Sequence, residues 1–213
     1  MATEAPTLTE TDWYRRSAPA DDLRPQIAFV LREDVYLGDP NDSAEIKSGR
    51  NRKPLALPSF ARQMPLEASS AEVVGHEAAL ATYYRQIDEA LGARGRDREL
   101  YYWLRLTFRS QLASATLDFP WWDRLSDMRP LLKWIANAAD ESRFDDQDQG
   151  WGVAGIRRGE RLHLLHYYPE EDQELANVSV DRAKLIERTR AEISRTEAII
   201  AQLRTVLHID PWS

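Results

Sequence analysis

At Trp151 the hydrophobic rhythm of the chain changes, so one kind of element cannot run throughout. Before that point apolar residues recur at helical spacing. Val73, Ala79–Leu80, Tyr83–Tyr84, Ile87 and Leu91 form one such stripe, and Leu100, Trp103, Leu104, Thr107, Phe108 and Leu112 a second. Trp121, Trp122, Leu125, Met128, Leu132 and Ile135 make a third. Steps of three and four residues keep side chains on one face of a helix. From Trp151 the period falls to two. In WGVAGIRRGERLHLLHYY, Leu162, Leu164, His166 and Tyr168 share one face, and His163, Leu165 and Tyr167 the other, about a turn near Arg158-Gly159. The spacing predicts an α+β fold: a helical middle of three helices, a small antiparallel β-meander and a long C-terminal helix.

Local signals set the expected boundaries. Ser69 and Glu72 fit a capping box that opens a helix over 69–92, with Gly92 as its stop. The basic turn Arg94-Gly95-Arg96 leads into a second helix over 97–114, and a third over 120–139 is interrupted at Pro130. The meander covers 151–180, its last strand near Leu175–Val180. Asp181 then caps a helix over 182–207, in which Ile186, Ile193, Ile200 and Leu207 repeat every seven residues. That repeat has two readings, a helix lying across the rest of the fold or the seam of a homodimer. Upstream, QIAFVLREDVYL over 26–37 reads as a strand broken near Arg32–Asp34. Residues 1–24 read as a loosely held lead-in, and 38–68, with Pro54, Pro58 and Pro65, as a long irregular loop. The expected organisation is a single domain over 1–213.

The composition removes whole classes of chemistry. Cysteine is absent, which excludes disulfides, thiolate-held metals and thiol nucleophiles. A net charge of -7 argues against binding nucleic acid or an anionic membrane. The first residues are acidic where a secretory leader is basic, and no long apolar run follows, so the expected location is cytoplasmic. No HExxH, GxSxG, GxGxxG or P-loop pattern occurs. His163 and His166, three apart on a strand, point to opposite faces and cannot share a metal. Asp145 to Gly150 resembles the start of a calcium loop, but the twelfth position is Ile156 and the bidentate glutamate is missing. The sequence therefore predicts no catalytic residue, no cofactor and no metal.

What remains is a binding protein. Asp145, Asp146 and Asp148 precede Trp151, and Glu170, Glu171 and Asp172 follow the second strand. If the hairpin pairs as drawn, these two acidic turns meet at one end of the meander and face a basic protein partner, with Trp151 as an aromatic anchor. The order from Asp145 to about Arg190 is acidic turn, Gly150-Trp151, strand, glycine turn, strand, acidic turn, strand and helix. This order resembles the C-terminal part of small immunity proteins of bacterial polymorphic-toxin systems. The resemblance covers about a fifth of the chain. It implies a cytoplasmic inhibitor that covers a cognate toxin domain and performs no catalysis. Two other classes stay open: an enzyme whose carboxylates and histidines meet only in the fold, and an adaptor dimerising through 182–207.

Overall fold

The computed structural model describes residues 12–38, 49–92, 98–120, 123–148, 150–171 and 173–212. Among these, eleven strands form three sheets of five, four and two strands. Trp121, Trp122, the Arg94-Gly95-Arg96 turn, Asp172 and parts of the expected lead-in and loop lie outside the described residues.

In chain order the strands are β1 (Ala18–Pro19), β2 (Arg24–Val30), β3 (Asp34–Tyr36), β4 (Arg52–Pro54) and β5 (Glu67–Ser69). There follow β6 (Leu104–Ser110), β7 (Ala115–Phe119), β8 (Arg143–Asp148), β9 (Trp151–Arg158), β10 (Arg161–Tyr168) and β11 (Gln173–Asp181). The helices are α1 (Ser70–Val73), α2 (Glu77–Leu91), α3 (Leu125–Asn137) and α4 (Arg182–Leu207). The five-stranded sheet runs β1-β11-β10-β9-β8 and the four-stranded sheet β5-β2-β6-β7, while β3 pairs with β4.

The expected helical middle is corrected to a largely sheet-bearing one. Where a helix was expected over 97–114, Arg98–Tyr101 forms a single 3-10 turn and β6 follows, paired antiparallel with β7. The reason lies in Leu106, which a helix would have placed off the apolar stripe. As a strand, the segment buries Leu104, Leu106, Phe108 and Ser110 at every second position. Leu100 and Leu112, which the helical stripe needed, are 50% and 78% exposed. The β6–β7 turn is held by Asp22. Its Oδ1 accepts from Ser110 Oγ at 2.5 Å, and its Oδ2 accepts from the amides of Gln111 at 2.8 Å and Leu112 at 3.1 Å.

The capping box forms, with Ser69 N donating to Glu72 Oε2 at 2.8 Å and Glu72 N to Ser69 Oγ at 3.3 Å. It opens only α1, because Gly75 adopts φ +81 and separates α1 from α2. Within 38–68 the described residues include β4 and the start of β5. Of the seven-residue repeat of α4, Ile200 and Leu207 are buried and Ile186 and Ile193 only partly so, while Leu185, Thr189, Thr196, Ile199 and Leu203 are buried beside them.

The chain divides into two compact units. In the unit containing 27–105, 123–125 and 194–213, Trp212 is fully buried among Phe29, Tyr84 and Tyr102. Burial holds the Tyr84 hydroxyl well above its ordinary pKa. Gln86 pairs with Ala56 as another backbone would, accepting from its amide at 2.9 Å and donating to its carbonyl at 3.0 Å. The other unit, 1–26, 106–122 and 126–193, carries the five-stranded sheet and every described residue singled out as a binding candidate.

Candidate binding surface

The register of the five-stranded sheet sorts its residues into two faces. Phe144, Gly155, Leu164 and Val178 lie in one cross-strand row, and Asp146, Val153, His166 and Ala176 in another on the same face. This face is apolar. Trp134 of α3 lies over it, and a Cβ on Gly155 would come within 2.6 Å of Trp134 Cη2, so only glycine lets that indole approach. The opposite face carries the rows Arg143, Ile156, His163, Ser179; Asp145, Ala154, Leu165, Asn177; and Gln147, Gly152, Tyr167, Glu174. Trp13 packs here with Ala154, Ile156, Leu165 and Tyr167.

Polar side chains bind the 3-10 turn Trp13–Arg16 to this second face. Asn177 Nδ2 donates to the Trp13 carbonyl and to Glu174 Oε2, each at 3.1 Å. With both amide hydrogens used, Asn177 Oδ1 is the acceptor for Ser17 Oγ at 2.6 Å. The single hydroxyl proton of Ser17 is thereby committed. His163 Nδ1, 3.1 Å from Ser17 Oγ, meets an oxygen whose proton is turned to Asn177. That arrangement is not a base activating a nucleophile. Tyr14 stacks edge-on to His163 at 5.8 Å, and the Arg158 guanidinium lies 4.7 Å from the Tyr14 ring centre. Burial, then the charge of Arg161, holds the His163 pKa below its ordinary 6.5 against the pull of the Tyr14 carbonyl.

Asp145, Asp146 and Asp148 do not lie in a turn. They belong to β8, an outer strand that pairs with β9 from Arg143↔Ile156 to Asp148↔Trp151 without a bulge. Few residues of RFDDQD favour a strand, so pairing with β9 overrides local preference. Strand geometry then puts Asp145 on the polar face and Asp146 and Asp148 on the apolar one. Tyr167 reaches across β9 to donate to Asp145 Oδ1 at 3.2 Å, and Gln147 Nε2 donates to the Tyr167 hydroxyl at 2.6 Å. Gly152 makes that reach available, since a Cβ there would lie 2.6 Å from Tyr167 Cζ. Burial, with the Asp145 charge beside it, pushes the Tyr167 pKa up.

Glu170 and Glu171 are exposed in the turn after β10. The pairs Asp148↔Trp151, Gly152↔Tyr167 and Gln173↔Tyr168 place that turn and the β8–β9 turn at the same end of the sheet. Asp148, Glu170 and Glu171 are thus brought to one end, while Asp145 and Asp146 sit further along β8 on opposite faces. Trp151 is corrected from a surface anchor to a core residue. It is 3% exposed, its indole N–H donates to the Asp118 carbonyl at 2.7 Å, and its ring meets Phe119 edge-on at 5.6 Å.

His166 faces away from His163, 6.2 Å from the Trp151 ring. Among the described residues no three histidine, cysteine or acidic side chains form a group that could hold a metal ion. No described helix is long and apolar enough to cross a membrane. Ser17, Gln147, Gly152, Tyr167 and Asn177 carry this surface but give no motif in the sequence, because their partners are distant along the chain. Comparison with family models, curated proteins and solved structures finds no match.

Proposed function

We propose that the protein is a binding protein without a reaction of its own, which engages a basic protein partner. The partner surface comprises the carboxylates of β8 and, at the adjoining sheet end, Asp148, Glu170 and Glu171. On this reading the partner is a toxin-type effector domain that the protein neutralises by covering it, as the resemblance of the 145–190 segment to immunity proteins implies. The observation that carries the proposal is the placing of three carboxylates along one outer strand, Asp146 and Asp148 on one face and Asp145 beside Arg143 on the other. Such a field steers a cationic surface and raises its rate of encounter. The Ser17–His163 pair supports the non-catalytic reading, since the Ser17 proton is given to Asn177 and not to the histidine.

The test is co-expression with a toxin-like domain encoded beside this chain. Growth should be rescued and the two proteins should co-purify. Asp145→Lys, Asp146→Lys and Asp148→Lys together should slow association about tenfold at low ionic strength and weaken its salt dependence. A rescued, co-purifying partner whose binding ignores those reversals and ionic strength would refute the acidic surface. Turnover of a substrate by the purified chain would refute the non-catalytic reading.

A further inference from the structure

Resting on the acidic-surface reading, we propose that β8 recruits its basic partner by strand addition, with an extended basic segment pairing along Arg143–Asp148 as a sixth strand. Among the described residues no strand pairs with the outer side of β8. Alternate backbone N–H and C=O groups of such an edge point outward and can template another chain. Edges are ordinarily blunted by proline, by a bulge, by charged side chains or by being very short. The opposite edge of this sheet is blunted in that way: β1 has two residues, one of them Pro19. By contrast β8 has six residues, no proline and an unbroken register with β9, and its protection is charge, which excludes like-charged and apolar strands but not a basic one.

The side chains select the occupant. Asp145 shares one face of β8 with Arg143, and Asp146 and Asp148 lie on the other, where the charge is wholly negative. An added strand carrying lysine or arginine therefore meets a carboxylate whichever face those residues take. A second copy of β8 is disfavoured, because self-pairing sets carboxylates opposite carboxylates. An apolar strand would leave the three charges partly desolvated and unpaired. A basic, extended segment satisfies both the backbone and the charges.

The experiment uses the full chain and a synthetic peptide of alternating lysine and valine long enough to span β8. It is compared with the same peptide N-methylated at alternate amides, which keeps the charge and removes the backbone donors. The expected result is binding of the first peptide, weakened about tenfold or more by methylation. Hydrogen exchange should slow at alternate amides within 143–148. The Asp145→Asn, Asp146→Asn, Asp148→Asn variant should weaken binding while keeping that alternating pattern. Equal binding of both peptides would overturn strand addition and leave the acidic surface standing. Failure of both peptides, while the toxin-type partner is still captured in a charge-sensitive way, would do the same. Slowed exchange at 143–148 that grows with protein concentration alone would assign the edge to a second copy and overturn the proposal. Indifference of the toxin-type partner to charge reversal is the separate result that removes the underlying reading.

Discussion

The two faces of the five-stranded sheet are held by different physics. The face under Trp134 is closed by apolar burial: Val153, Leu162, Leu164, Val178 and Val180 are at most 1% exposed. The face under Trp13 and Tyr14 combines a small apolar cluster with directional bonds through Asn177, Ser17 and His163. Burial is non-directional and scales with area, whereas each buried hydrogen bond contributes about 1 kcal/mol net and is costly when one partner is lost. The apolar face should therefore set global stability. The polar face should set whether the 12–17 segment stays seated.

The largest effects belong to the apolar face. Leu164→Ala should cost about 3 kcal/mol, from lost transfer energy and the cavity left between Gly155 and Val178. Gly155→Ala should cost about 2 kcal/mol, because its Cβ would collide with the Trp134 ring. Both should appear in chemical denaturation as a lower midpoint with an unchanged slope. A Leu164→Ala loss below that of a polar-face variant would break the comparison.

On the polar face, Asn177→Ala should cost about 1.5 kcal/mol, since the Ser17 hydroxyl and the Trp13 carbonyl lose their partner. Its sharper signature is local: hydrogen exchange should accelerate over 13–17 more than in β10 or β11. Uniform acceleration across the sheet would show that the turn is part of the global core. Gly152→Ala should cost less, about 1 kcal/mol, because the end of the Tyr167 ring can swing aside. The swing would release Asp145 from Tyr167 and free it for a partner.

The same contrast explains what the sequence could show. The 151–180 meander was legible because its alternation has no helical counterpart. In 104–110, Leu104, Thr107 and Phe108 satisfy a helix while Leu104, Leu106 and Phe108 satisfy a strand, and only burial decides between them. The acidic residues were identifiable by composition alone. Their division between two faces was not, because it depends on 143–148 being a strand that few of its own residues favour. Gly152 and Gly155 looked like ordinary strand glycines. Their meaning comes from Tyr167 and Trp134, fifteen and twenty-one residues away.

The smallest expected effect compares the two histidines of β10, one on each face. Both have pKa values held below the ordinary 6.5, each chiefly by burial. His166 is 6% exposed. The Thr116 backbone and the Asp118 charge oppose its shift only in part. His163 is half-buried and held by Ser17. A depressed folded-state pKa means that the unfolded chain takes up the proton first. The stability each histidine contributes is therefore present above pH 6.5 and is lost as pH falls from there through the folded value. Asp21, Asp22 and Glu72, also held low, lose theirs only below their ordinary 3.8 to 4.5, so the two windows separate. Denaturation midpoints measured downward from pH 7 should show a shallow first decline and a steeper acid one. His166→Phe should flatten the first decline more than His163→Gln, because the apolar face has less water to accept a charge. If His163→Gln flattens it more, the polar face is the drier of the two and the contrast between them inverts.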